Sequence, residues 1–402
     1  MAEQHLSVQR VLTFLLEQTE PVTRPLVADA CDLSRPTVFA AIARLEGSGL
    51  VEADGQRSGK PGRSAALYQI TRAAGVVAGL DIGGSNLRVA ITDVRGQLLG
   101  ERREPTAQRG GQQIVSQAVD LIRSVLHSTG ATADALAAVG VSVPGVVGAD
   151  GSTVYYASNI DQFEPFDFRT PLRAAMNAPV LLDNNVNLAA MGERWQGVAH
   201  DLETFAVVAV GAGVGAGIVH EGSLLRGAHG AAGEVAFLPP HNCHRKVDAS
   251  AHDEAGGLSL LQHAQTRPGW RGRPPTTVEE LFLRAAEREE PAATLVEEEC
   301  ARIASIIASI CAVVDLETVI LTGGVGVNDR LIARAEQLAE ELTLFPPAVI
   351  RSGLGERASL IGAVRLATQS VRADLIQAVA DSGAAPRVPI HAGRAADSSA
   401  RP

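Results

Sequence analysis

Cysteine is scarce in this chain: four residues in 402, Cys31, Cys243, Cys300 and Cys311, too scattered to form a disulfide framework. No run of 18 or more uninterrupted apolar residues exists, which excludes a spanning helix. The opening Met1-Ala2-Glu3-Gln4-His5 lacks the charged-then-apolar profile of a secretory signal. Lysine is almost missing as well. Two of the 35 basic residues are lysine, a bias that GC-rich coding produces as readily as function does. These absences point to a cytoplasmic protein with no membrane partner. What is present is ample apolar material: 46% hydrophobic content, enough for two or three domains with cores of their own. The net charge of −10 argues against nucleic acid binding by the molecule as a whole. That charge is uneven, however. Residues 1–72 hold eight Arg/Lys and eight Asp/Glu, so the acidic excess lies entirely beyond them.

Within residues 7–70 the spacing predicts three helices and a hairpin. Val8, Val11, Leu12 and Leu15 recur at helical intervals. A short second helix starts near Thr23, with Pro25 in its first turn, and runs to about Ala30. Ser34 can cap a third, reaching about Glu46, whose wheel places Val38, Ala41, Ile42 and Leu45 on one side. Its other side shows Arg35, Pro36, Thr37, Ala40, Ala43 and Arg44. Small and basic residues on one face suit a major groove, because bulky ones would hold the backbone away from base edges. Two strand-like runs, 50–53 and 65–70, then flank a loop carrying Arg57, Lys60 and Arg63, a basic wing suited to phosphate or minor-groove contact. The alternative is a small helical protein–protein module. The helix-turn-helix spacing and the wing, occurring together, favour DNA.

From Val76 onward, strand-like and helical runs alternate as in an α/β fold whose ligand cleft lies at the strand ends. Strands over 76–82, 87–94 and 97–102 are expected to be antiparallel. Others are expected at 137–143, 180–182, 205–210 and 318–321, with helices at 114–126, about 187–195 and 301–314. The stretch Asp81-Ile82-Gly83-Gly84 between the first two strands resembles a phosphate-cradling turn, and Gly211-Ala212-Gly213 a second one. No internal sequence repeat is evident. After about Arg372, and from Gly383 through Pro402, Ala, Ser, Gly and Pro are abundant, predicting a disordered tail over 373–402.

Five features together resemble the ROK family (repressors, open reading frames and sugar kinases). They are Asp81-Ile82-Gly83-Gly84; Ser142-Val143-Pro144-Gly145; Asn184-Asn185-Val186-Asn187 with Gly192-Glu193; Gly211 to Gly217; and Leu225 to Glu234. The resemblance covers about residues 7–370. It implies a winged helix-turn-helix over 1–72, then over 73–372 a two-lobed actin-like, hexokinase-type (ribonuclease H-like) ATPase fold that senses a ligand and dimerises. The family's kinases use a carboxylate as the base for the sugar hydroxyl, and by its flanks that position is Asn185, an amide. A one-residue slip would make Asp183 the base, at the expense of the match at Asn187 and Gly192-Glu193. Ala212 stands where a hydroxyl residue is usual, and Ser85-Asn86 where Thr-Lys is common, so Asp81, Gly83, Gly84, Gly211 and Gly213 read as vestigial phosphate loops.

By the same resemblance, Asn159, Asn184, Asn185, Glu234 and Glu254 contact the hydroxyls of a sugar or sugar-phosphate effector. Phe237 replaces the family's zinc-binding histidine, and the usual cysteine cluster is reduced to Cys243 with His241, His244 and His252. Four such groups could hold tetrahedral zinc, but their spacing matches no established pattern, so no metal or cofactor is expected. The expected protein is a DNA-binding regulator, a repressor by family default. It would act as a homodimer or higher oligomer on a palindromic double-stranded operator. An active sugar kinase with an added DNA-binding head, and a DNA-binding regulator that senses nothing, are the alternatives.

Overall fold

The computed structural model describes residues 2–57, 65–107, 110–155, 165–238 and 255–382. The chain opens with α1 (Ala2–Glu17), on which Val8, Val11, Leu12 and Leu15 are buried along one face. A two-residue strand that the sequence reading did not anticipate, β1 (Val22–Thr23), leads into α2 (Arg24–Cys31). Pro25 sits in the first turn of α2, where its missing N–H leaves nothing unsatisfied. Asp32, at φ 50°, ends that helix in the left-handed conformation and turns the chain into α3 (Arg35–Gly47). The Ser34 Oγ caps α3 by accepting the Thr37 amide at 3.3 Å. Val38, Ala41, Ile42 and Leu45 are its buried face, as the wheel predicts. Strands β2 (Val51–Arg57) and β3 (Ala65–Ile70) pair antiparallel, and β1 joins the far side of β3. This is a three-helix winged head.

The first lobe is a five-stranded sheet. Strands β4 (Val76–Ile82), β5 (Asn86–Asp93) and β6 (Leu98–Pro105) form an antiparallel meander. Helix α4 (Gly110–Ser128) then returns the chain to β7 (Leu136–Val143), which pairs parallel with β4. A small three-stranded sheet follows, from β8 (Val146–Val147), β9 (Thr153–Tyr155) and β10 (Phe166–Asp167). Helix α5 (Arg169–Met176) leads to β11 (Val180–Asn184), parallel to β7. Helix α6 (Asn185–Gln196) crosses towards the second lobe, beginning two residues before its expected start because Asn184 is its cap.

The second lobe repeats this plan. Strands β12 (Phe205–Val210), β13 (Val214–His220) and β14 (Ser223–Leu224) form the meander. After α7 (Gly257–Thr266), α8 (Val278–Ala286) and α9 (Glu290–Val314), the strand β15 (Thr318–Thr322) pairs parallel with β12. One turn, α10 (Gly323–Gly326), and α11 (Asp329–Leu342) lead to β16 (Ala348–Arg351), parallel to β15. The strand orders, β11-β7-β4-β5-β6 and β14-β13-β12-β15-β16, are the same three-strand meander followed by two parallel strands. The duplication is topological, and no sequence repeat betrays it. This is the two-lobed α/β architecture expected from the sequence.

The last element corrects an expectation. Helix α12 (Ala358–Ser382) runs through residues assigned to a disordered tail, so 373–382 are helical. The physical reason is burial: Leu375 and Val379 are inaccessible and share one core with Val8, Val11, Leu12 and Leu15 of the head. The same core takes in Val77, Ala90 and Ala138 of the first sheet. Earlier in α12 the helix lies against that sheet where Gly140 leaves room, since a Cβ there would collide with the Ala363 carbonyl. Among the described residues no helix is long and apolar enough to cross a membrane.

Candidate functional site

Two places in the molecule have the makings of a site. The first is the outer face of α3. Arg35, Pro36 and Ala40 are exposed, and Thr37 and Arg44 are partly so. The Thr37 hydroxyl lies 2.7 Å from the Ser34 Oγ, which holds the start of the helix in one geometry. Phe39, which the sequence reading passed over, is 55% exposed on the edge of this face. The Arg24 guanidinium lies between two rings, 4.3 Å from the centroid of Phe39 and 4.6 Å from that of Tyr68. Arg57 ends β2, while Lys60 and Arg63 fall outside the described residues.

The second is the cleft between the lobes, with a volume of about 330 Å³. It brings together Asn184, Asn185 and Glu234 with the second glycine turn, Gly211 to Gly213. Asn184 is committed to structure. Its Oδ1 accepts the amides of Val186 and Asn187 at 2.8 and 3.3 Å, and its Nδ2 donates to the Gly145 carbonyl at 2.8 Å. Asn185 is half-buried, lines the cleft, and makes no side-chain hydrogen bond to another described residue. Asp183, the alternative base, is buried and does not line the cleft. Its Oδ1 accepts the Asn184 amide at 2.8 Å and the Asn187 side chain at 3.0 Å. Its Oδ2 takes the fork of Arg226, at 3.0 Å from Nε and 2.9 Å from Nη2. A carboxylate so occupied has no lone pair facing a substrate.

Among the described residues, Glu234 is the one acidic residue lining the cleft. Its carboxylate makes no hydrogen bond to another described residue, and burial pushes it above the ordinary range. Ser259 and Gln262 reach the cleft from α7, a contribution the sequence did not reveal because it depends on where α7 packs.

The first glycine turn lies apart from this cleft; Asp81, Gly83 and Gly84 do not line it. In the β4–β5 hairpin, Asp81 faces Arg88 across the ladder. Its Oδ1 accepts the Ser142 hydroxyl at 2.7 Å, and its Oδ2 the Arg88 guanidinium at 3.4 Å. Arg88 also pairs with the carboxylate of Glu356 from beyond β16. Burial drives the Asp81 carboxyl up, opposed by the Ser142 hydrogen bond and by Arg88. The Gly83 amide donates to the Asn86 carbonyl at 3.0 Å, closing the turn on itself. Asn159 and Glu254 lie outside the described residues, as do His241, Cys243, His244 and His252. Among the described residues no three His, Cys, Asp or Glu side chains gather in a way that would hold a metal ion.

The model of the ROK family matches residues 77–370. The xylose repressor of Caldicellulosiruptor bescii is 28% identical over 215 residues, which is 53% of this chain and 54% of that one. The chain thus spans about half the length of that repressor. The glucokinase of Halalkalibacterium halodurans is 26% identical over 283 residues, covering 66% of this chain and 86% of the enzyme. Among solved structures, a ROK family transcriptional regulator, a homologue of the E. coli MLC protein, superposes with a TM-score of 0.73. That likeness covers 94% of this chain and 99% of the other at 18% identity, so it speaks for the fold, head included.

Proposed function

The chain belongs to the ROK family, and on that premise we propose that it is a DNA-binding transcription regulator, a repressor, whose kinase-like body is a sugar-sensing and dimerising module without kinase activity. The observation that carries this reading is the bare outer face of α3, capped by Ser34, flanked by Arg35 and Arg44, with Pro36, Thr37 and Ala40 between them. A helix so dressed can enter a major groove and bring arginines to base edges or phosphates. Residues 1–72 are the proposed head, and Arg57, Lys60 and Arg63 the wing that meets the backbone. Two heads on a dimer would read a palindromic operator. Replacing Arg35 and Arg44 together by alanine is expected to weaken specific operator binding by at least ~10²-fold in a fluorescence-anisotropy titration, since each good base contact is worth about 1–3 kcal/mol. Unchanged affinity would remove α3 from the interface.

In the body, Asn184, Asn185 and Glu234, with Asn159 and Glu254 from the undescribed stretches, form the proposed effector site. The relatives that this chain resembles include a xylose repressor, so xylose belongs in the first ligand screen. Asn185 cannot accept a hydroxyl proton near neutral pH, and loss of a general base typically lowers the rate by ~10²–10⁴. The glucokinase likeness supports a second reading, a sugar kinase carrying a DNA-binding head. Incubation with ATP and a panel of hexoses separates the two. Turnover on the order of 1 s⁻¹ or faster would favour the kinase.

A further inference from the structure

We propose that Arg24 grips a phosphate of the DNA backbone beside α3, with Phe39 and Tyr68 holding its guanidinium in place. This rests on the DNA-binding role proposed above and adds to that interface a contact that fixes position without reading sequence.

Two oddities of the head meet at this place. The first is Phe39. The outer face of α3 is otherwise made of small or basic residues, and a phenyl ring 55% exposed there breaks the pattern. Helical spacing puts Phe39 one turn from both Pro36 and Ala43, so the ring stands at the rim of the face that would enter the groove. The second is Arg24, the first residue of α2. Its guanidinium carbon lies 4.3 Å from the centroid of Phe39 and 4.6 Å from that of Tyr68, a buried residue of β3. Its Nε is inaccessible and has no hydrogen-bond partner.

A packing role alone does not account for Arg24. An aliphatic or methionine side chain fills a gap between rings without stranding a donor, and a stranded buried donor lowers stability. What arginine adds is a permanent charge and a planar edge of N–H groups matched to phosphate oxygens. The rings attract the cation and fix where that edge sits, so less freedom is lost when an anion arrives. The backbone favours the same ligand. Arg24 opens α2, whose N-terminal end carries partial positive charge and is not closed by the Thr23 side chain. A duplex with α3 in its major groove carries its sugar–phosphate backbone past the rim of that helix, and here the rim is Phe39 with Arg24 against it.

The test uses the full chain and duplexes that it retains from a random-sequence pool. Fluorescence anisotropy over a potassium chloride series gives the affinity and its salt dependence. Arg24→Met, which keeps the packing volume, is expected to weaken every retained duplex by about the same factor, on the order of tenfold. Its plot of log affinity against log salt should be shallower by ~0.9 for each head bound. Base preference, measured with single-base variants of the duplex, should match wild type. An unchanged salt slope overturns the phosphate contact and leaves Arg24 as packing, with the DNA-binding role intact. A changed base preference also overturns it, since Arg24 would then act by positioning α3. Should Arg24→Met show no folded melting transition, Arg24→Gln takes the same measurements. If the wild-type chain retains no duplex at all, the DNA-binding role falls, and the Arg24 contact with it.

Discussion

The head meets the first lobe through a shared apolar core, while the two lobes meet where α6 crosses α12, across glycines, small side chains such as Ala189 and Ala358, and polar groups. Helix α12 takes part in both contacts. Its later part buries Val371, Leu375 and Val379 against Val8, Leu12 and Leu15 of the head, and the Gln9 side chain donates to the Ile376 carbonyl at 3.3 Å. Arg95 adds a polar strut from the first lobe, reaching Gln69 of the head at 2.9 Å while its own charge is met by Asp93 at 2.9 Å. The earlier part of α12 crosses α6, and there a Cβ on Gly192 would strike the Ala358 carbonyl and one on Gly362 the Leu188 carbonyl. Around this crossing stand ion pairs, Arg88 with Glu356 and Arg357 with Glu101. Glu193, fully buried on α6, accepts the Leu354 amide at 3.0 Å and the Ser352 hydroxyl. An interdigitated core resists relative motion of its halves, whereas a crossing of bare backbones held by rim charges has less to unlock. The difference groups the head with the first lobe and, under the proposed sensing role, makes the second lobe the part that a ligand in the cleft would shift.

The strongest challenge to this grouping is a cavity in the shared core. Leu375→Ala is expected to lower stability by about 2–5 kcal/mol, with head and first lobe melting in one transition. Calorimetry that resolved a separate, ligand-independent head transition would break the comparison. At the lobe crossing, Gly362→Ala is expected to lower stability by about 1–3 kcal/mol, because backbone has to move to admit the methyl group. It should also weaken ligand binding in the cleft without altering the operator contacts proposed for α3. A neutral result in chemical denaturation would mean that the crossing is looser than its geometry indicates.

Much of the head was legible because its signals are local. The α3 wheel, the Ser34 cap and the wing strands all follow from residues within a few positions of one another. In the body, Asn185 was legible from its flanks, and the structure brings it into one cleft with Glu234 and the second glycine turn. What the sequence hid is long-range. Leu375 and Val379 sit in a compositionally soft C-terminal stretch, and only the distant α1 makes them core residues. The Arg24 sandwich joins residues from three separate elements. The topological repeat was invisible because matching strand order needs matching polarity and register, not matching side chains. The Arg88 and Asp81 pairing is an exception, since two residues flanking a glycine turn can be paired by counting across the hairpin.

The smallest expected effect probes the open side of the lobe contact. Burial raises the Glu234 carboxyl in the folded chain above its ordinary value of 4.5, so the folded state holds this proton more firmly than the unfolded state does. Stability from that proton is fully present below the unfolded value and is lost as pH rises through the folded one. At neutral pH the ionised carboxylate therefore weighs against the folded state. Glu234→Gln removes the charge and should melt slightly higher than wild type at pH 7, by about one degree, with the gap closing as pH falls towards 4. Under the proposed sensing role, a saturating sugar should narrow the gap at pH 7 by hydrogen-bonding the carboxylate. Identical melting of the two proteins from pH 4 to 8 would mean that water already solvates Glu234, and the lobes would then be apart in the unliganded protein.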